Sequence, residues 1–157
     1  MKNSVIFFAV ALFVSFSCNQ SKAKIDKTAE NNNLEPELSL RGTWERTSFY
    51  NYTDDVVSDT IHPDIEDRHI KIFTESKVMW CRFIPEDSTD WFGYGSYNVK
   101  NNTLTEILEY GCKSMRVHIA NDSVFVFNLT LTKDTYSQVR VDDDGHPVFA
   151  ENYVRVE

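Results

Sequence analysis

The chain has 157 residues, with 16 Lys and Arg against 24 Asp and Glu, a formal net charge of -8 that speaks against a basic nucleic-acid-binding surface. A hydrophobic share of 41% beside 25% charged residues describes a folding chain rather than a disordered one. Five glycines and four prolines exclude collagen-like and linker-type chains, and three cysteines are too few for a disulfide-dense miniprotein.

At the N-terminus, Lys2 is the only charge before Lys22, and Val5 to Phe16 is an apolar run broken only by Ser15. A basic start followed by about 12 apolar residues fits a signal-peptide core. It is too short for a bilayer span, which needs roughly 20. The Ser17-Cys18-Asn19 that follows resembles a bacterial lipobox, whose Cys is lipidated and becomes the mature N-terminus. That resemblance implies a lipoprotein signal peptide over 1–17, lipid attachment at Cys18, and membrane anchoring in the bacterial cell envelope, with the outer membrane as the expected address. The alternative is a secreted protein cleaved near Ser17, with Cys18 an ordinary residue. Residues 19–39 lack apolar periodicity and are rich in Asn, Lys and Glu, so 18–39 reads as a flexible tether.

From Leu40 to Glu157 the chain turns to short alternating runs rich in β-branched and aromatic residues. Strands are expected near 42–52, 68–75, 77–84, 92–100, 103–110, 113–120, 123–131, 135–142 and 147–156. Asn101-Asn102, Asn121-Asp122 and Asp144-Gly145 supply the residues that tight turns require. No window shows a convincing helical period. This spacing fits an all-β domain, an antiparallel barrel or sandwich; an up-and-down barrel of about 8–9 strands is the simplest closure. The long connection 53–67 holds six carboxylates and is read either as a solvated acidic loop or as a lid over one barrel end.

Particular residues then resemble a known group. Gly42-Thr43-Trp44 opens the first strand as the Gly-x-Trp motif does in lipocalins. The ordered set Lys71-Ile72-Phe73-Thr74, Val78-Met79-Trp80, Gly93-Tyr94-Gly95-Ser96-Tyr97 and Leu104 to Tyr110 is similar to the lipocalin-like domains of small bacterial lipoproteins of unknown function. The resemblance implies a lipocalin-like barrel in which Trp44 closes one end under an Arg, either Arg140 or Arg155. It implies no established activity.

Trp80, Trp91, Tyr94, Tyr97 and Tyr110 form the richest aromatic set, and a barrel of this size is about wide enough for one small ligand. The competing reading is core packing of large rings. On strand period Tyr94 and Tyr97 face opposite ways, so not all of these rings can line an interior. Glu106 lies between Leu104 and Leu108. Facing inward, it would need a raised pKa or a partner, with Arg82 or Arg116 as candidates. Cys81 and Cys112 leave two readings open, a disulfide or two free thiols. His62, His69, His118 and His146 show no metal-ligand spacing, and no cofactor fingerprint or catalytic motif occurs. The expected function is therefore binding of a small, partly apolar ligand. The net negative charge favours a neutral or cationic one. The alternative is a structural or interaction protein of the envelope with a filled barrel and a protein partner, and a hydrolase or isomerase using Glu106 ranks behind both.

Overall fold

The computed structural model describes residues 38–65, 67–85 and 89–157. Nine strands and one helix follow in chain order: β1 (Gly42–Thr53), β2 (Val56–Ile61), β3 (His69–Phe73), β4 (Lys77–Ile84), β5 (Thr89–Lys100), β6 (Thr103–Gly111), α1 (Lys113–Asn121), β7 (Val124–Leu131), β8 (Thr135–Val141) and β9 (Pro147–Arg155). The sheet order is β2-β1-β3-β4-β5-β6-β7-β8-β9, every adjacent pair is antiparallel, and β1 also pairs with β9. Eight strands therefore close a barrel, and β2 lies outside the ring as a ninth. The signal-peptide reading, Cys18 and the tether up to residue 37 fall outside the described residues, while Ser39, read as the tether's last residue, is held to the domain by the Arg155 guanidinium.

Two sequence expectations are corrected. Residues 56–61 form β2 within what reads as an acidic loop. The device is Asp54-Asp55, both at positive φ (52° and 63°), as a two-residue hairpin turn with the twist of its flanking strands requires. Asn101-Asn102 (52° and 57°) makes the same turn between β5 and β6. Because β2 folds back along the outer half of β1, the first two barrel strands in sequence order are β1 and β3, and the plain meander is interrupted there. The second correction is α1. Met115, Val117 and Ile119 alternate as in a strand, yet the segment is helical. Cys112 caps it, its Sγ accepting from the Met115 N–H at 3.4 Å, and the Asp122 N–H closes the last turn on the His118 carbonyl at 2.8 Å. Alternation over five residues competes here with capping chemistry and loses.

One barrel end is packed solid. Trp44 is fully buried, donates from Nε1 to the Leu40 carbonyl at 2.6 Å, and meets Tyr136 edge-on at 4.9 Å. The Arg155 guanidinium lies 4.0 Å above its ring and donates to the carbonyls of Ser39 (2.8 Å), Arg41 and Lys133 (2.7 Å). Arg155, not Arg140, is thus the Arg on Trp44; Arg140 donates to the Val126 carbonyl. Gly42 stands at φ 126°, where a Cβ would lie 2.2 Å from the Glu157 carbonyl oxygen, so the Gly of Gly-x-Trp is needed for the last residues to cross the first strand. Phe73, Val78, Leu104, Leu129 and Tyr153 fill the space beneath. Trp44→Ala is expected to lower stability by about 3–5 kcal/mol, the usual loss for a buried Trp. A denaturant titration that moves by less than about 1 kcal/mol would contradict this role.

Candidate functional site

At the opposite end, strand period aims a mixed set of side chains into a hollow. His69 and Lys71 point inward from β3, Trp80 and Arg82 from β4, Trp91 from β5, Glu106 and Leu108 from β6, Gln138 from β8, and Phe149 and Glu151 from β9. With Phe49, Met115, Phe125 and Phe127 they line a cavity of about 240 Å³. A bulge between Arg46 and Ser48 shifts the alternation of β1, and past it Phe49 reaches this cavity. Room for the Trp80 ring comes from Gly93, its cross-strand partner. A Cβ there would lie 2.7 Å from the indole. A neighbouring hollow of about 480 Å³ shares Phe49 and Arg82 and extends to Arg46, Ile61, His62, Asp64 and Asp67.

The cavity floor is a buried polar network. Lys71 Nζ lies 2.6 Å from Glu106 Oε1 and donates to Gln138 Oε1 at 3.0 Å. Gln138 Nε2 donates to Glu151 Oε2 at 2.6 Å. Glu151 Oε1 faces Arg46 Nη1 at 3.6 Å and His69 Nδ1 at 3.5 Å, and Arg46 Nη2 donates to Asp67 Oδ2 at 3.0 Å. The Lys71 ammonium is also caged by Phe73, Phe127 and Tyr153, whose ring centroids lie 5.7 to 5.9 Å away.

These surroundings set the protonation states. Burial pushes the Glu106 carboxyl up from its usual range, and the Lys71 charge only partly offsets it. Glu151 is buried as well, but His69, Lys71 and Arg46 together hold its carboxyl below the usual range. Burial lowers His69 to about 3 against the pull of Glu151, with the cations Lys71, Arg46 and Arg82 adding to the fall, so its ring is neutral near pH 7.

The structure brings together Trp80, Trp91 and Glu106, as the ligand-binding reading requires, and leaves three other residues outside. Tyr94 lies on the outer barrel face because its parity on β5 is opposite to that of Trp91 and Gly93. Tyr110 shares the parity of Glu106 and Leu108, but an irregularity beside Glu109 sets Gly95 opposite Leu108 and Tyr94 opposite Tyr110, which turns Tyr110 outward, 55% exposed. Tyr97 points inward but sits in the packed half, its ring 4.8 Å from Phe73 and its hydroxyl donating to the Thr74 carbonyl at 2.8 Å. The partner of Glu106 is Lys71, not Arg82 or Arg116. Arg116 instead donates to the Gly111 carbonyl. Cys81 and Cys112 are both free thiols, Cys81 exposed on β4 and Cys112 capping α1. Among the described residues no group of three or more His, Cys, Asp or Glu side chains is arranged to hold a metal.

Sequence reasoning missed Lys71, His69, Gln138 and Glu151 as site residues. Strand parity gave the only available signal, since His69, Lys71 and Phe73 alternate with Ile70 and Ile72. Read with apolar residues inward, that parity sends the two isoleucines to the core, the opposite of what is found.

The Lys71–Glu106 pair yields a direct test. Lys71→Met alone leaves a buried carboxyl without its cation and is expected to cost about 3–5 kcal/mol, whereas adding Glu106→Leu should recover most of that loss. Urea unfolding of the two variants checks this; a double variant no more stable than Lys71→Met would show that the pair is not a self-contained unit.

No protein-family model matches the sequence, and comparison with curated proteins finds no significant match. Two solved structures share the architecture. A lipocalin-like protein from Bacteroides uniformis ATCC 8492 superposes with a TM-score of 0.54 at 12% identity, covering 74% of this chain and 97% of that one. An uncharacterized protein from Bacteroides eggerthii DSM 20697 superposes with a TM-score of 0.50 at 13% identity, covering 74% and 99%. At this identity the likeness establishes a lipocalin-like fold.

Proposed function

We propose that this domain binds one small, partly apolar ligand in the barrel cavity, and that lipid on Cys18 tethers it to the bacterial cell envelope. The cavity itself carries the ligand reading. A barrel that served only as a scaffold would fill both ends with its own side chains, as the Trp44 end is filled. Here eight apolar side chains surround about 240 Å³ above a row of buried polar groups. Apolar walls with a few placed polar groups are the usual composition of a small-molecule site. The volume lies below the roughly 300–1,000 Å³ of drug-sized pockets, so the ligand is compact. The lipocalin-like fold accords with such a role. The alternative, an envelope interaction protein with a filled barrel, is disfavoured by the same hollow.

The ligand reading is tested by native mass spectrometry of the full-length protein after exposure to an envelope extract. Wild type should carry a small-molecule adduct. Leu108→Trp, which fills the cavity wall, should lose the adduct while keeping its circular dichroism. An adduct that survives in Leu108→Trp, or none on wild type, would move the interaction-protein reading to the front.

The address rests on the apolar run that ends at Ser17-Cys18 and on the polar segment after it. Cys18→Ala should shift the protein from the membrane to the soluble fraction. Unchanged sedimentation with membranes would exclude the lipid.

A further inference from the structure

Building on the cavity reading, we propose that the ligand is a compact organic acid, its carboxylate held at the cavity mouth by the Arg82 guanidinium and the Trp91 indole N–H, its apolar body lying among the aromatic walls. The carboxylate and amide acceptors on the cavity floor are already engaged. Glu106 takes Lys71, Gln138 Oε1 takes Lys71, and Glu151 takes Gln138 and faces Arg46 and His69. Arg46 Nε, both ring nitrogens of His69 and the hydroxyls of Tyr136 and Tyr153 are buried without a hydrogen-bond partner, and two further unengaged donors, Trp91 Nε1 and the Arg82 guanidinium, come from directly paired positions on β4 and β5. Trp91 Nε1 is buried without a hydrogen-bond partner, and an orphaned buried donor is costly unless something supplies an acceptor. Among the described residues, Arg82 has no carboxylate within salt-bridge distance and no hydrogen bond, although it lines both hollows.

Position joins these two donors. Arg82 and Trp91 are direct cross-strand partners on β4 and β5, and the guanidinium lies 6.0 Å from the indole ring centroid. His69 stands opposite Arg82 on β3, which makes one row of three facing the cavity. The His69 ring, with Nδ1 toward Glu151, is uncharged, so Arg82 supplies the formal charge of that row. The other cations are spent within the protein, Lys71 on Glu106 and Arg46 on Glu151 and Asp67. What the site lacks is an anionic acceptor, and a carboxylate matches a planar guanidinium better than any neutral group does. Phe125, Phe127, Phe149 and Trp80 offer flat surfaces to a ring-sized body, which suits a hollow of about 240 Å³.

The test is isothermal titration of the full-length protein with phenylacetate and indole-3-acetate, each beside its uncharged amide. Wild type should bind the acids at least about tenfold more tightly than the amides, the usual effect of one charge-assisted hydrogen bond. Arg82→Gln should erase that preference while leaving amide affinity within a few fold, and Trp91→Phe, which keeps the ring but removes the N–H, should weaken acids more than amides. Amides binding as well as acids to wild type, or a preference that survives Arg82→Gln, would overturn the carboxylate assignment and leave the cavity reading intact. If neither class binds, the compact-acid assignment fails, and the Leu108→Trp comparison in the envelope extract decides separately whether the cavity binds anything.

Discussion

Lys71 and Glu106 meet inside the barrel at 2.6 Å from strands that are not neighbours in the sheet, and much of the interior is arranged around that contact. Two opposite charges taken out of water are costly unless they touch and their remaining hydrogen-bonding capacity is met. Gln138 meets part of that need from β8 and passes the chain on to Glu151 on β9, and Glu151 in turn accounts for Arg46 on β1. The network thus reaches five strands around the ring. It also divides the interior. Below it Trp44, Phe73, Tyr136 and Tyr153 pack without room to spare, while above it the aromatic walls stop short of one another. An apolar plug at Lys71 and Glu106 would serve stability as well or better, so the buried ion pair at the base of the hollow is not accounted for by the fold's stability alone.

Much of the barrel was legible in the chain because period and turn chemistry are local. The runs at 77–84, 103–110, 123–131 and 135–142 become β4, β6, β7 and β8 within a residue or so, and the Gly-x-Trp at 42–44 identified the sealed end. The errors have specific causes. Asp54-Asp55 is a hairpin turn built from two aspartates at positive φ, but in a stretch so rich in carboxylates it reads as solvated loop. Residues 113–121 alternate like a strand, and the deciding signal, a thiol capping the first turn, is not a residue type that marks a helix start by composition.

The site was legible only in part. Glu106 stood out because a carboxylate between two leucines on one strand face is conspicuous. Its partner did not, since nothing local relates residue 71 to residue 106 across three strand pairings. Tyr110 shows a deeper limit. Counting by two from Glu106 and Leu108 places it inside, and a single extra residue at the rim reverses it. Bulges gather at barrel rims and beside binding sites, so parity is least dependable in the part of a strand that matters most for function.

Charge, too, acts on two different scales in this protein. A chain of net charge -8 repels anions at long range, which is why its composition points toward a neutral or cationic ligand. Long-range repulsion is screened within about 10 Å at ordinary ionic strength and acts mainly on the rate of encounter. The selectivity of a partly buried site is set instead by the few groups that touch a ligand, where each unmet hydrogen bond weighs more than in water. In this cavity the carboxylates are already neutralised by Lys71 and Arg46, and the groups without partners include two adjacent donors, Trp91 Nε1 and the Arg82 guanidinium. The surface and the interior therefore argue for opposite ligand charges, and for a molecule that spends its bound lifetime inside the barrel the interior decides.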